Sequence, residues 1–195
     1  MRLTDLIARA RGLPAGSVLG ITGAPGAGKT TLAREIVGAV PGAVQVPMDG
    51  FHLADVALEA LGLRDRKGAP ETFDAAGYLA LLRRIRAGEP GPVYAPMFER
   101  DLEQPLAGAI AVPPGTPLVV TEGNYLLLWP EVAAELTEVW FCDPPAAVRR
   151  ERLVARHVEF GKGRAEAEAW VERVDEPNAR LVAGTRHRAT LVVVP

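Results

Sequence analysis

The sequence predicts an α/β fold with a doubly wound, mainly parallel sheet of five strands, helices on both faces and a small lid. Three apolar runs, 118–121, 136–142 and 189–194, have the near-continuous hydrophobic character of parallel strands that are buried on both faces. Helical patterns separate these runs, and a glycine-rich turn joins a further apolar run to a helix. Such an alternation of strand and helix, with right-handed crossovers, is typical of a doubly wound sheet.

The other elements follow in the order that this fold requires. Apolar residues on one face predict a short helix from Leu3 to Ala10, which Gly12 and Pro14 end. Asp74 is a candidate N-cap for the helix that follows it. The remaining predicted elements are strands at 17–22 and 43–47, helices at 29–40, 53–63, 74–87, 144–159 and 164–183, and two short strands near 93 and at 109–112.

Length and composition limit the classes of protein to be considered. The 195 residues, 48% of them hydrophobic, suffice for one α/β domain spanning 1–195. Lys plus Arg at 22 against Asp plus Glu at 24 gives 22 − 24 = −2, so we expect neither a nucleic acid nor a membrane as partner. The N-terminus has no signal-peptide core and no apolar run is long enough to span a bilayer, which predicts a cytoplasmic protein.

A phosphate-binding loop lies between the first predicted strand and the helix after it. Residues 23–30, Gly-Ala-Pro-Gly-Ala-Gly-Lys-Thr, match the pattern G-x-x-x-x-G-K-[ST] at every fixed position. Its backbone N–H groups are expected to bind phosphate oxygens of ATP, Lys29 to reach the β and γ phosphates, and Thr30 to bind Mg²⁺. The predicted nucleotide-binding residues are Gly23, Ala24, Pro25, Gly26, Ala27, Gly28, Lys29, Thr30 and Thr31.

Two acidic residues follow predicted strands, whose carboxyl ends face the ligand crevice in such sheets. Asp49 comes after the second strand, beside Phe51 and His52, where a carboxylate could accept the proton of an attacking hydroxyl. Glu122 ends the run 118–121, where an acid can organise Mg²⁺ through water. For each residue the alternative is a simple solvated turn or strand-end carboxylate.

A helix rich in arginine predicts a lid over the phosphates. Arg149, Arg152 and Arg156 are spaced i, i+3, i+7 and share a helix face, and a flexible Gly-Lys-Gly segment at 161–163 follows. We assign the lid to 149–165 and expect Arg152 and Arg156 to stabilise the charge of the phosphate during transfer. A solvated face paired with neighbouring glutamates is the alternative.

Rare residue types mark further positions. Lysine occurs only at 29, 67 and 162, and asparagine only at 124 and 178, although arginine is abundant. A chain that uses arginine almost everywhere is expected to keep lysine where lysine is needed. The three lysines are therefore candidate functional residues.

Several stretches together resemble the uridine kinase, phosphoribulokinase and pantothenate kinase family of P-loop kinases. The resemblance is strongest to its bacterial branch of nucleoside/nucleotide kinase-like or fructose-transport kinase-like proteins. This chain lacks the longer nucleoside-recognition insert of true uridine kinases. The matching stretches are GAPGAGKTTLA at 23–33, MDGFHL at 48–53, RKGAPETFD at 66–74, VVTEGNYLLL at 119–128 and RERLVARHVEFGKG at 150–163.

The resemblance implies a P-loop NTPase fold and assigns roles to residues. Asp49 would be the catalytic base, with Lys29, Arg152 and Arg156 also acting in phosphoryl transfer and Thr30 and Glu122 at the metal. Arg186, in the segment 185–188, would lie near adenine, and 89–117 would be an insertion on the acceptor side. The residues implied to face the acceptor are His52, Lys67, Tyr94, Arg100 and Asn124.

The sequence thus predicts an ATP-dependent kinase that phosphorylates a hydroxyl of a small metabolite: a sugar, a nucleoside or a pantothenate-like alcohol. One alternative is a P-loop hydrolase or switch acting on a protein, but neither the N-K-x-D motif of guanine switches nor the L-S-G-G-Q signature of ABC-type ATPases occurs. A second alternative is a nucleoside monophosphate kinase. Its acceptor is a phosphate, which needs arginines at the acceptor site more than it needs a carboxylate base such as Asp49. Oligomeric state is left open, with a homodimer as one option.

Overall fold

The computed structural model describes residues 1–194, in which seven strands and eight α-helices alternate. The strands are β1 (Ser17–Gly23), β2 (Val44–Pro47), β3 (Val93–Glu99), β4 (Gln104–Val112), β5 (Leu118–Gly123), β6 (Glu138–Cys142) and β7 (Leu191–Val193). The helices are α1 (Leu3–Arg11), α2 (Lys29–Ala39), α3 (Asp55–Leu61), α4 (Ala75–Ala87), α5 (Pro130–Ala134), α6 (Ala146–Glu159), α7 (Arg164–Trp170) and α8 (Glu176–Ala183).

Five strands form the central sheet in the order β2-β5-β1-β6-β7, and every neighbouring pair is parallel. The central strand β1 is buried along its whole length. Because all five strands run the same way, their carboxyl ends share one edge of the sheet. The prediction of a five-stranded, doubly wound parallel sheet is confirmed.

Each face of the sheet carries its own hydrophobic core, because successive strand residues point to opposite faces. On one face, Leu19 and Ile21 of β1 pack with apolar residues of α1 and α2. On the other, Val18 packs with residues of α4, the β3–β4 hairpin and α8. This arrangement fits the near-continuous apolar runs in the sequence, since both faces of the strands are covered.

The segment 89–117 contains an antiparallel hairpin that is longer than the sequence predicted. β3 and β4 pair from Val93↔Val112 to Glu99↔Gln104, with an irregularity between Ala95 and Met97. The expected short strands near 93 and at 109–112 are only its base. The rest of the hairpin was not predicted because Pro96, Pro105 and Gly108 lie inside its strands and are typical of turns. Strands β3 and β4 pair only with each other, and edge strands of this kind tolerate proline.

Helix boundaries differ from expectation in two further places. The short helix α5 was not predicted; Pro130 occupies its first turn, where the missing N–H costs nothing. The predicted helix at 164–183 is divided by a π-helical turn over Val171–Asp175. The N-cap at Asp74 is confirmed, since its Oδ1 accepts a hydrogen bond from the Gly77 N–H at 2.8 Å.

Within residues 1–194, no helix combines the length and the apolar character needed to cross a bilayer.

A buried chain of hydroxyl groups ties α4 to the sheet and generates a prediction about stability. Tyr78 Oη donates to Thr121 Oγ1 at 2.5 Å, and Thr121 Oγ1 donates to the Val46 carbonyl at 2.6 Å. Both side chains are fully buried. Tyr78→Phe removes one hydrogen bond and strands no polar group, so we expect a loss of about 1 kcal/mol. Thr121→Val leaves the tyrosine hydroxyl unpaired and should cost about 2–3 kcal/mol.

Urea denaturation of the two variants and the native chain tests this order. Equal losses of unfolding free energy, or a larger loss for Tyr78→Phe, would contradict it. Neither residue lines the clefts described below, so the two variants also serve as stability controls for site variants.

Candidate active site

The phosphate loop leaves β1 at its carboxyl end and enters α2 at Lys29. Its glycines at 23, 26 and 28 have φ of 144°, 78° and 88°, a region that other residues rarely occupy. At Gly23 there is also no room for a side chain, since a Cβ would lie 2.5 Å from the Cys142 carbonyl oxygen. The loop conformation therefore depends on glycine, and it places the amino end of α2 at the cleft.

Helix α6 packs directly against this loop through Arg149. The Arg149 side chain is buried, donates from Nη1 to the Pro25 carbonyl at 3.3 Å and pairs with Glu176 at the start of α8. A Cβ on Gly26 would lie 2.7 Å from the Arg149 carbonyl oxygen. The sequence predicted that Arg149 lies on the lid face, and it gave Arg149 no role of its own. Its i−3 spacing from Arg152 was the only available signal, and burial could not be read from it.

Lys29 and Thr30 are tied to the end of β5. Lys29 Nζ donates to Asn124 Oδ1 at 2.7 Å and to the Ala24 carbonyl at 3.0 Å. Thr30 Oγ1 donates to Glu122 Oε1 at 3.2 Å. These contacts arise because β1 and β5 are neighbours whose carboxyl ends lie side by side. The predicted metal pair, Thr30 and Glu122, is thus brought together.

Burial and charge shift the proton affinities of this group. Burial and, after it, the nearby Asp49 carboxylate raise the pKa of Glu122 to about 7, although Lys29 opposes both. Burial lowers the pKa of Lys29, against the pull of Glu122 and Asp49. Two carboxylates close together at an oxygen-rich site, with the Thr30 hydroxyl beside them, match the ligand preference of Mg²⁺. The residues present therefore fit the expected cation.

Asp49 reaches the same cleft from a 3-10 turn, Met48–Phe51, that follows β2. The turn is clamped on two sides. A Cβ on Gly50 would lie 2.3 Å from the Pro96 carbonyl oxygen of β3, and a Cβ on Gly123 would lie 2.5 Å from Met48 Cβ. Only glycine at 50 and 123 lets the hairpin and β5 approach so closely, and this approach holds Asp49 over the end of the sheet.

Two cavities meet at the phosphate loop. One, of about 680 Å³, is lined by the loop, Thr31, Glu35 and Arg152, with Leu3, Leu6 and Val194 as apolar wall. The other, of about 520 Å³, contains Asp49, Glu122 and Asn124. They share Gly26, Lys29, Thr30 and Arg156. We name them the nucleotide cavity and the acceptor cavity.

The acceptor cavity contains four of the five residues expected to face the acceptor: His52, Lys67, Arg100 and Asn124. It is also lined by all three lysines of the chain and by both of its asparagines. In a chain that otherwise uses arginine, this concentration indicates that the rare residue types are retained for this cleft.

Lys67 is bound within the protein. Its Nζ donates to Asp55 Oδ1 at 2.7 Å and to the Glu103 carbonyl, and it lies 5.5 Å from the centre of the Phe98 ring. Glu103 has a φ of 53°, unusual for a residue other than glycine. Lys67 therefore holds the tip of the hairpin against α3, and its contact with an acceptor would be secondary to that task.

Tyr94 and Arg186 line neither cavity, and the expectation that Tyr94 faces the acceptor is corrected. Tyr94 alternates with buried Val93 and Ala95 on β3 and is 57% exposed, pointing away from the cleft. Arg186 precedes β7 and pairs with Asp143 at 2.8 Å on the surface. Asp143 directly follows β6, at the edge of the sheet that carries the phosphate loop, so the position of Arg186 near adenine stays a prediction. Val194, after β7, lines the nucleotide cavity.

Comparison with known proteins agrees with this geometry. No family model matches the chain. It is 38% identical over 179 residues to the uncharacterized protein YggC of Escherichia coli, covering 87% of this chain and 73% of YggC. It is 31% identical over 173 residues to a candidate uridine kinase of Schizosaccharomyces pombe, covering 81% and 73%.

A solved structure extends the likeness to the whole chain. The crystal structure of a candidate fructose transport system kinase from Silicibacter superposes with a TM-score of 0.89 and 34% identity, covering 99% of each chain. Sequence and fold thus agree over the phosphate loop, the sheet and the hairpin. The chain belongs to the uridine kinase, phosphoribulokinase and pantothenate kinase family of P-loop kinases, enzymes that bind ATP and transfer a phosphoryl group.

Proposed function

We propose that this kinase transfers the γ-phosphate of ATP to a hydroxyl group of a small metabolite, with Mg²⁺ as cofactor and Asp49 as the base. The observation that carries the proposal is that Asp49 lines a cavity which joins the nucleotide cavity at Lys29, Thr30 and Arg156. A terminal phosphate bound by the loop would therefore lie at the junction, with Asp49 on the acceptor side.

The nucleotide side supplies binding and charge neutralisation. The loop N–H groups and the amino end of α2 bind phosphate oxygens, and Lys29 exchanges its contacts with Ala24 and Asn124 for the β and γ phosphates. Arg152 faces the nucleotide cavity alone, whereas Arg156 faces both cavities. Arg156 would therefore neutralise charge on the phosphoryl group during its transfer from one cavity to the other.

Thr30 would bind Mg²⁺ directly and Glu122 through water, and the cation would neutralise the β and γ phosphate oxygens. The adenine and ribose would occupy the apolar part of the nucleotide cavity beside Leu3, Leu6 and Val194. Burial of Glu122 makes its ionised form costly in the absence of a cation, so nucleotide with Mg²⁺ should favour the ionised form.

On the acceptor side, Asp49 accepts the proton as the acceptor oxygen bonds to phosphorus and the bond to the ADP oxygen breaks. His52 orients the turn that carries Asp49, because its Nδ1 donates to the Asp49 carbonyl at 2.7 Å. The acceptor would be a sugar, a nucleoside or a pantothenate-like alcohol. A phosphate acceptor matches this cavity less well, because two of the cations on the acceptor side, Arg64 and Lys67, are already paired with Asp55.

The first prediction concerns the base. Asp49→Asn keeps the size of the side chain but removes the proton acceptor, so kcat should fall by at least ~10²-fold while the Kd for ATP changes little. Coupled ADP release with D-fructose, uridine and pantothenate as acceptors, together with nucleotide titration, measures both quantities. Lys29→Ala is the contrasting variant and should lose ATP binding.

Unchanged turnover in Asp49→Asn, with turnover abolished in Lys29→Ala, would contradict the hydroxyl-acceptor mechanism and favour a phosphate acceptor. ADP release that no acceptor stimulates, with intact ATP binding, would favour a hydrolase.

The second prediction concerns pH. A carboxyl group whose pKa rises on folding binds its proton more tightly in the folded chain, so its contribution to stability is lost as pH rises from its unfolded to its folded pKa. For Glu122 that window runs from 4.5 to about 7. Glu122→Gln, measured without nucleotide or metal, should raise the unfolding free energy at pH 8 by on the order of 1–3 kcal/mol, and by less at pH 5.

Glu151→Gln, which changes an exposed glutamate on α6, is the matched control and should give no gain at either pH. A Glu122→Gln variant that is destabilised at pH 8 would show that the ionised carboxylate stabilises the fold, against the expectation. The same variant should lose turnover, because the neutral amide no longer helps to hold Mg²⁺.

A further inference from the structure

The lining of the acceptor cavity includes a polar side chain that the phosphoryl transfer does not use. Asn178, in the first turn of α8, is 7% exposed and lines this cavity. Its side chain makes no hydrogen bond with any residue in 1–194. Since no fully buried polar side-chain atom in this part of the chain lacks a partner, the Asn178 amide must be reached from the cavity. Water can hydrogen-bond to this amide from the cavity, and a ligand in the cavity can take the place of that water.

Asp175 stands one turn earlier on the same face. It ends the π-helical turn Val171–Asp175, and the spacing i, i+3 places it beside Asn178. Asp175 is buried, lines the acceptor cavity, and its Oδ2 is 3.0 Å from His157 Nε2. Wide π turns often occur at functional sites, where they reorient side chains. Here the turn ends at Asp175 and precedes Asn178, and both residues line the acceptor cavity.

The same cavity offers another hydrogen-bond acceptor, His52. His52 Nδ1 must carry the proton, because its partner is the Asp49 carbonyl oxygen at 2.7 Å. Burial lowers the pKa of His52, so the ring is neutral and its Nε2 is an acceptor only. The His52 ring is fixed between Phe73 and Phe98, with ring centres 4.0 and 4.7 Å away.

These groups define the chemistry of a ligand. Asp49, Asp175 and His52 Nε2 all accept hydrogen bonds, and Asn178 both accepts and donates. Phe98, Phe160 and Trp170 add aromatic faces to the same cavity. Lys67 and Arg64 already pair with Asp55, and Lys162 pairs with Glu166 at 3.4 Å. Arg100 and Arg156 line the cavity as well. A ligand with several hydroxyl groups can donate to the acceptors and can lay its C–H groups against the aromatic rings.

We infer that Asn178, with Asp175 beside it, binds a second hydroxyl of the acceptor, so that the acceptor is a polyhydroxylated molecule held between two walls of the cavity. One hydroxyl meets Asp49 and another meets Asn178. This inference rests on the proposed function for the identity of the cavity. It adds that the specificity of the kinase for its acceptor depends on α8 as well as on the hairpin.

Asn178→Leu tests the inference, because leucine has the same number and branching of side-chain heavy atoms but no hydrogen-bonding group. Thermal shift is measured in the presence of Mg²⁺ and a non-hydrolysable ATP analogue, with D-fructose, D-ribose and uridine as probes. A probe that stabilises the native chain should bind Asn178→Leu roughly tenfold or more weakly, with unchanged affinity for the ATP analogue. Arg180→Leu, exposed on the same helix, is the matched control and should retain binding.

Two further measurements separate binding from a structural role. Because Asn178 has no partner in the protein, Asn178→Leu should not lower the melting temperature of the unliganded chain. 2′,3′-Dideoxyuridine, which keeps only the 5′-hydroxyl, should stabilise the native chain less than uridine does.

Three results would overturn the inference: probe binding retained in Asn178→Leu, a lowered melting temperature of the unliganded variant, or no polyol probe that binds the native chain. None of them decides whether Asp49 is the base. The turnover comparison of Asp49→Asn with Lys29→Ala decides that separately, so the two proposals can fail independently.

Discussion

The site depends on the parallel pairing of β1 with β5, which sets the phosphate loop beside Glu122 and Asn124. Lys29 is buried there and needs partners for its ammonium group, and Asn124 Oδ1 at 2.7 Å supplies one. Glu122 is buried as well and accepts from Thr30. Charged groups are costly in such a place unless they are paired or a ligand completes them. The strand pairing therefore places a buried ammonium group and a buried carboxylate side by side, where the proposed phosphate and Mg²⁺ would complete them.

Other elements position groups around this pair through close contacts that a larger residue would block. Gly50 and Gly123 admit the hairpin and Met48, which holds the Asp49 turn at the cleft. Gly26 admits α6, whose Arg149 links the loop to Glu176 on α8. The same α8 carries Asn178 into the acceptor cavity. Movement of α6 or α8 would thus change both the nucleotide cavity and the acceptor cavity. A kinase needs such coupled movement to keep water out of the reaction.

Much of this could be read from the sequence, because the relevant signals are local. The phosphate loop follows from fixed glycines and Lys29 between a strand and a helix, and Asp74 follows from capping chemistry. Asp49 and Glu122 were recognisable because Asp49 follows a strand and Glu122 lies at the end of one, and the carboxyl ends of both strands face the crevice. The hairpin was underestimated, since its strands contain proline and glycine and pair only with each other. Tyr94 was misplaced because a motif match does not say which way a side chain points.

By itself, the sequence determined the order of strands and helices, the phosphate loop and the presence of two acids at strand ends, since these depend on periodicity and short spacings. Only the tertiary structure decided which polar residues meet. It buried Arg149 under the loop, occupied Lys67 with Asp55, and brought Asn178 into a cavity with Asp49, 129 positions earlier in the chain. Burial and long-range proximity come from how α6, α8 and the hairpin pack on the sheet, and no local pattern encodes that packing.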